Sequence, residues 1–139
     1  MRVSTWGRLT RGLAAFVLIA AATAAGYLGW LGWDQHKDPL PGGGVSGPYQ
    51  AWQVLGLVAT LCAVAVAAGR RGHPVAAVLG MTLTMTLCFS VDAAGDADGD
   101  GLWPVGAALV AIGTFTGISL VAALAWALRP RPPRPAGQN

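Results

Sequence analysis

The chain has 139 residues, of which 54% are apolar and 11% charged, and it carries a formal charge of +3 with a mean hydropathy of +0.53. A soluble domain carries roughly 25% charged residues, so this composition excludes an ordinary water-soluble fold and points to a membrane protein. All six acidic residues are Asp and none is Glu, and the nine basic residues sit in short clusters beside apolar runs; that placement reads as membrane topology and excludes a nucleic-acid footprint.

Arg2, Arg8 and Arg11 open the chain, and then the charges stop. Leu13 to Trp33 is an uncharged run of 21 residues, matching the ~20 residues needed to cross the hydrocarbon core. It predicts a first membrane span over 13–33. A basic start, an apolar core and Ala22-Thr23-Ala24 also fit a cleaved secretory signal, but the apolar run continues to Trp33, which favours an uncleaved span. Tyr27, Trp30 and Trp33 close the span at the spacing of an interfacial aromatic belt. Gly26, Gly29 and Gly32 between them suit a close helix contact.

Asp34 to Gln50 reads as an outer loop, because Pro39, Pro41, three consecutive glycines and Gly47-Pro48 exclude regular structure. A second span follows over 51–68, with Tyr49 and Trp52 as its interfacial anchors. Arg70-Arg71-Gly72-His73-Pro74 is the polar turn around which the chain divides into two hairpins. It makes the second and third spans antiparallel neighbours, and Pro74 suits the first turn of a helix. The third span covers 75–91 and is the most polar, with Thr82, Thr84, Thr86 and Ser90. Gly80, Thr84, Cys88 and Asp92 recur every four residues, so they share one face, which is expected to pack on another helix.

Residues 92–102 form a second outer loop holding four of the six Asp. A fourth span runs over 103–128, with Pro104 in its first turn and a GxxxG packing motif at Gly113 and Gly117. The tail, 129–139, is basic and proline-rich and reads as a disordered cytoplasmic extension. The N-terminus, the central turn and the tail together hold eight of the nine basic residues, whereas the two outer loops hold Lys37 and every Asp. By the positive-inside rule both termini face the cytoplasm, which places the protein in the plasma membrane.

The available chemistry is narrow. Ion-coupled transporters place ionisable groups within the membrane, and no Asp, Lys, Arg or His lies mid-span here. Membrane-embedded Glu, as in four-helix multidrug exporters, is missing, as are the CxxC pairs of quinone-linked disulfide-forming enzymes. Intramembrane proteases need Ser with His, or paired Asp, at depth, and these are missing too. Cys62 and Cys88 lie in apolar runs and read as small packing residues. No catalytic or cofactor-binding residue is expected, and the chain reads as a non-enzyme.

One constellation has ligand character. Asp96-Ala97-Asp98-Gly99-Asp100-Gly101 resembles the opening of an EF-hand-type Ca2+ loop, in which alternate carboxylates converge on the ion. Asp96, Asp98 and Asp100, with Asp92 nearby, are therefore the candidate metal ligands. The position of the bidentate Glu is Ala107, and Pro104 falls inside the loop, so any Ca2+ affinity is expected to be weak and a solvated acidic loop is the simpler reading. His36 and His73 read as solvated loop histidines.

Gly47-Pro48-Tyr49-Gln50-Ala51-Trp52-Gln53-Val54 and Gly101-Leu102-Trp103-Pro104-Val105-Gly106, with the Ala/Gly/Val/Arg-rich composition, give a chain that resembles the small uncharacterised four-span membrane proteins of high-GC Gram-positive bacteria. The resemblance covers the whole chain and implies a fold, with no activity to carry over. The expectation is an all-α polytopic membrane protein, an antiparallel four-transmembrane-helix bundle surrounded by the lipid bilayer. Its expected role is to pack as an accessory subunit on another membrane protein or as a homo-oligomer. The alternative is a cation-responsive or ion-conducting oligomer whose acidic outer loop attracts cations.

Overall fold

The four apolar runs become four helices in the computed structural model, which describes residues 3–33, 41–43, 49–96 and 101–130. They are α1 (Val3–Leu31), α2 (Ala51–Arg70), α3 (Pro74–Gly95) and α4 (Trp103–Ala127). Each is long and apolar enough to cross a membrane. At 1.5 Å rise per residue, even α2, the shortest at 20 residues, spans about 30 Å.

Two helices outrun the apolar runs that announce them. α1 starts ten residues before Leu13, because the arginines interrupt the hydrophobicity and not the backbone ladder; Thr10 Oγ1 donates back to the Trp6 carbonyl within this extension. α3 continues past Val91 through Asp92, Ala93 and Ala94 to Gly95, since alanine is the strongest helix former and nothing stops the helix before glycine. The central turn closes as its residues suggest. Gly72 takes φ +84°, the His73 N–H donates to the Ala68 carbonyl at 2.9 Å, and Pro74 opens α3.

Successive helices alternate in direction, but the bundle is not ordered by sequence. α3 packs most extensively on α4, α1 packs on α3 and on α2, and α2 packs on α4. Among the described residues α1 and α4 do not meet. α2 and α3 are antiparallel as the turn requires, yet of the pairs in contact they touch least. They are neighbours, as the turn requires, and form the short diagonal of a rhombus. Glycines explain this. Gly80 of α3 gives its bare face to Phe16 and Ile19 of α1, and Gly69 of α2 lies against the Ala122 carbonyl and Ala125 of α4. Backbones approach most closely where Cβ is absent, so the tightest contacts of α2 and α3 face away from each other.

Alanines pack in the interior beside Tyr27, Leu57, Leu61 and Met85. Ala65, Ala77, Met81 and Ala122 are fully buried, while Leu55, Leu83, Leu109 and Leu120 each expose more than 60% of their surface. So many large apolar side chains exposed along all four helices suit lipid as the surrounding solvent. The chain is an integral, multi-pass membrane protein.

The charges separate along the bundle axis. Arg11, Arg70, Arg71 and Arg129 lie at one end, where Arg129 reaches the Gly72 turn and stacks over Trp126 at 5.1 Å. Asp92 and Asp96 lie at the other, beside the ends of α1 and α3 and the start of α2. The bundle thus has an arginine end and an aspartate end.

Candidate functional site

At the aspartate end the helical extension of α3 carries Asp92 inward on the face begun by Gly80, Thr84 and Cys88. There the Tyr27 hydroxyl, from α1, donates to Asp92 Oδ2 at 2.7 Å. The Tyr49 hydroxyl, just before α2, donates to the same oxygen at 3.2 Å. The two phenol oxygens lie 3.3 Å apart. With one proton each and both aimed at Oδ2, the phenols converge on the carboxylate and hold three elements together through one atom. A carboxylate in the last turn of a helix opposes the helix dipole; two O–H donors offset that penalty, since hydrogen bonds to a charged group contribute about 1.5–3 kcal/mol.

This cluster corrects the aromatic-belt expectation for Tyr27, which is 2% exposed and turned into the bundle. Tyr49 is likewise half-buried and directed at Asp92. Burial, and secondarily the adjacent Asp92 charge, push the Tyr49 hydroxyl above its ordinary pKa, so it is a neutral donor at physiological pH. The tryptophans do form a rim. Trp30 and Trp33 pack on Trp52 with ring centroids 6.3 and 5.9 Å away, and Trp30 Nε1 donates to Thr60 Oγ1 at 3.0 Å. Trp30 also lies flat on Gly56, where a Cβ would come within 2.6 Å of the ring.

Of the four candidate metal ligands, Asp92 is engaged by the two tyrosines, and Asp96 follows one turn later as the extended residue that caps α3. Asp98 and Asp100 lie outside the described residues, as do His36 and Lys37. Gln53 is a polar residue that the apolar pattern of α2 did not reveal as buried. It is fully inside, its Oε1 accepts from the Gln50 N–H at 2.7 Å, and its Nε2 has no partner among the described residues. Thr82 and Thr86 have buried hydroxyls in the same condition, and Ser90 Oγ donates to the Thr86 carbonyl at 2.7 Å.

Below the Asp92 cluster an apolar cleft of about 450 Å³ opens between α2 and α4. Tyr27 and Tyr49 border it, Leu57 and Leu61 form the α2 wall, and Gly113 and Gly117 the α4 wall. The cleft exists because α2 leans. Its second half is held to α4 by Gly69 and its first half to α1 by Gly56, so α2 and α4 part toward the aspartate end. A Cβ at Gly113 or Gly117 would meet nothing within 4 Å, so the GxxxG face is uncovered among the described residues. Neither Thr82, Thr84, Thr86 nor Ser90 lines this cleft.

Comparison with family models, with curated proteins and with solved structures finds no match for this chain.

Proposed function

We propose that this protein is a non-catalytic packing subunit whose cleft between α2 and α4 receives a transmembrane helix of a second copy or of a partner membrane protein, with the arginine end in the cytoplasm. The observation that carries the reading is the uncovered Gly113–Gly117 face bordering an apolar cleft. In lipid, helices associate where small residues let backbones approach, and a GxxxG face with no occupant among the described residues leaves that approach to another helix. The Asp92 clasp has a structural role here: it fixes the ends of α1, α2 and α3 and so sets the mouth of the cleft.

Co-purification in mild detergent followed by native mass spectrometry tests this. Gly113→Leu with Gly117→Leu should release the associated chain while leaving the remaining protomer folded, because a Cβ at either position would meet nothing within 4 Å and the added side chains have the cleft to enter. Gly29→Leu, equally open but on α1, should leave the complex intact. Wild type eluting only as a monomer from native-lipid nanodiscs sinks the proposal.

A cation-responsive oligomer is the alternative. Asp92 Oδ2 is engaged by two phenols, so such a site would draw chiefly on Asp96, Asp98 and Asp100. A melting temperature identical in millimolar Ca2+ and in chelator ends that reading, and liposome flux at the empty-liposome level ends its conducting form.

A further inference from the structure

The lean of α2 that opens the cleft toward α4 at one end opens a second cavity toward α1 at the other. This groove, of about 520 Å³, lies at the arginine end and has a different chemistry. Arg11 of α1, Arg71 just after α2 and His73 of the central turn border it. Its walls are apolar and short, with Ala14 and Ala15 facing Ala67 across the gap. Alanines on both helices cannot fill the space, and the contacts that hold α1 to α2 sit far away at Trp30 and Gly56.

Among the described residues the charge is uncompensated. No Asp or Glu occurs anywhere in 1–33, 49–91 or 101–139, and neither guanidinium is hydrogen-bonded or ion-paired among the described residues. Both arginines border the groove and are exposed, and an arginine is long enough to lay its apolar stem along such a groove with its head in the polar layer of a membrane. A pocket of this size is within the range of small-molecule sites. Cationic rim and apolar floor together match a molecule with an anionic head and a hydrocarbon tail, and basic pockets between transmembrane helices are suited to such headgroups.

We propose that the α1–α2 groove is a binding site for one anionic phospholipid, whose phosphate is held between Arg11 and Arg71 beside His73 and one of whose acyl chains lies along the alanine walls. The site is separate from the α2–α4 cleft and does not depend on what occupies it. Arginine recognises phosphate through paired N–H donors, which a zwitterionic head satisfies less well because its own cation competes.

Native mass spectrometry of the full chain, titrated with phosphatidylglycerol or with phosphatidylcholine of the same acyl chains, reads the site. One saturable phosphatidylglycerol is expected, with phosphatidylcholine a weak competitor. Arg11→Gln and Arg71→Gln should each weaken phosphatidylglycerol about fivefold, as ~1 kcal/mol per basic residue near the surface implies. Arg70→Gln removes the same charge next door but outside the groove, and should leave affinity unchanged. Ala14→Leu, at an exposed wall position, should abolish saturable binding with every arginine in place. Equal affinity for the two lipids overturns the proposal, as does an Arg70→Gln loss equal to that of Arg71→Gln. Soluble glycerol phosphate competing at the lipid's own concentration would also overturn it, by showing an anion site with no use for the groove.

Discussion

At the aspartate end, α1 and α2 meet through Trp30 lying on Gly56, and the polar groups there are joined: two phenols on one carboxylate and an indole on a threonine. At the arginine end the same two helices stand apart over facing alanines, and the charges reach outward separately. The difference follows from side-chain reach. Asp is short, so a carboxylate carried on a helix face must be met by donors brought to it. Arg is long enough to place its charge in the polar layer from a position one turn deeper, so nothing in the fold needs to close around it. One end is therefore built as a clasp and the other as a socket.

The largest effect is expected at the arginine end, where Gly69 holds α2 to α4. A Cβ at Gly69 would come within 2.6 Å of the Ala122 carbonyl, which is backbone and cannot turn aside. Gly69→Val should destabilise by about 3 kcal/mol, the upper range of overpacking, and reversible unfolding in detergent or bicelles would show it. Removal of the clasp's acceptor comes next. Asp92→Ala leaves two phenols without their shared partner and should cost about 2 kcal/mol, whereas Asp92→Asn keeps an acceptor oxygen and should cost less. Equal stability of Asp92→Ala and wild type would mean that the clasp holds nothing.

A smaller effect is expected at Gly56→Ala, where the neighbour is a side chain that can shift. About 1–2 kcal/mol is expected, together with a change in tryptophan fluorescence as Trp30 is displaced from Thr60. The smallest effect is confined to high pH. Burial raises the Tyr49 pKa, so the neutral phenol favours the folded state. That stability is fully present below the ordinary tyrosine value of about 10 and is lost as pH rises through the raised value. In Tyr27→Phe, Tyr49 is the only tyrosine in the chain, and its phenolate absorbance should appear later than that of the unfolded protein. At the arginine end, by contrast, Arg11→Gln and Arg71→Gln should leave the melting temperature unmoved.

Much of this molecule is decided by one-dimensional pattern. The lengths of the uncharged runs, the Gly72–Pro74 turn and the opposed clusters of Arg and Asp determine four membrane-crossing helices and their alternation, because the bilayer sets a length and excludes unpaired charge regardless of tertiary detail. The Gly80-Thr84-Cys88-Asp92 spacing likewise announced a packed face, and that face meets α1. What meets it was not legible. Tyr27 reads equally well as a lipid-facing ring or a buried donor, since both put an amphipathic aromatic at the same depth, and the choice depends on the rotation of α1 against α3. The helices run on past the uncharged runs at Arg11 and Asp92, because hydropathy marks where charge begins and not where the backbone ladder stops.

Only the tertiary structure decided the neighbours. Alternating direction is compatible with a square bundle in sequence order or with the rhombus observed here. The selection came from what the glycines admit: Gly69 the Ala122 carbonyl of α4, Gly80 Phe16 and Ile19 of α1, Gly56 the Trp30 ring. Those contacts tilt α2, and the tilt opens a cleft on one side and a groove on the other. A sequence specifies each glycine, but which partner a bare backbone face finds is a property of four helices packed together.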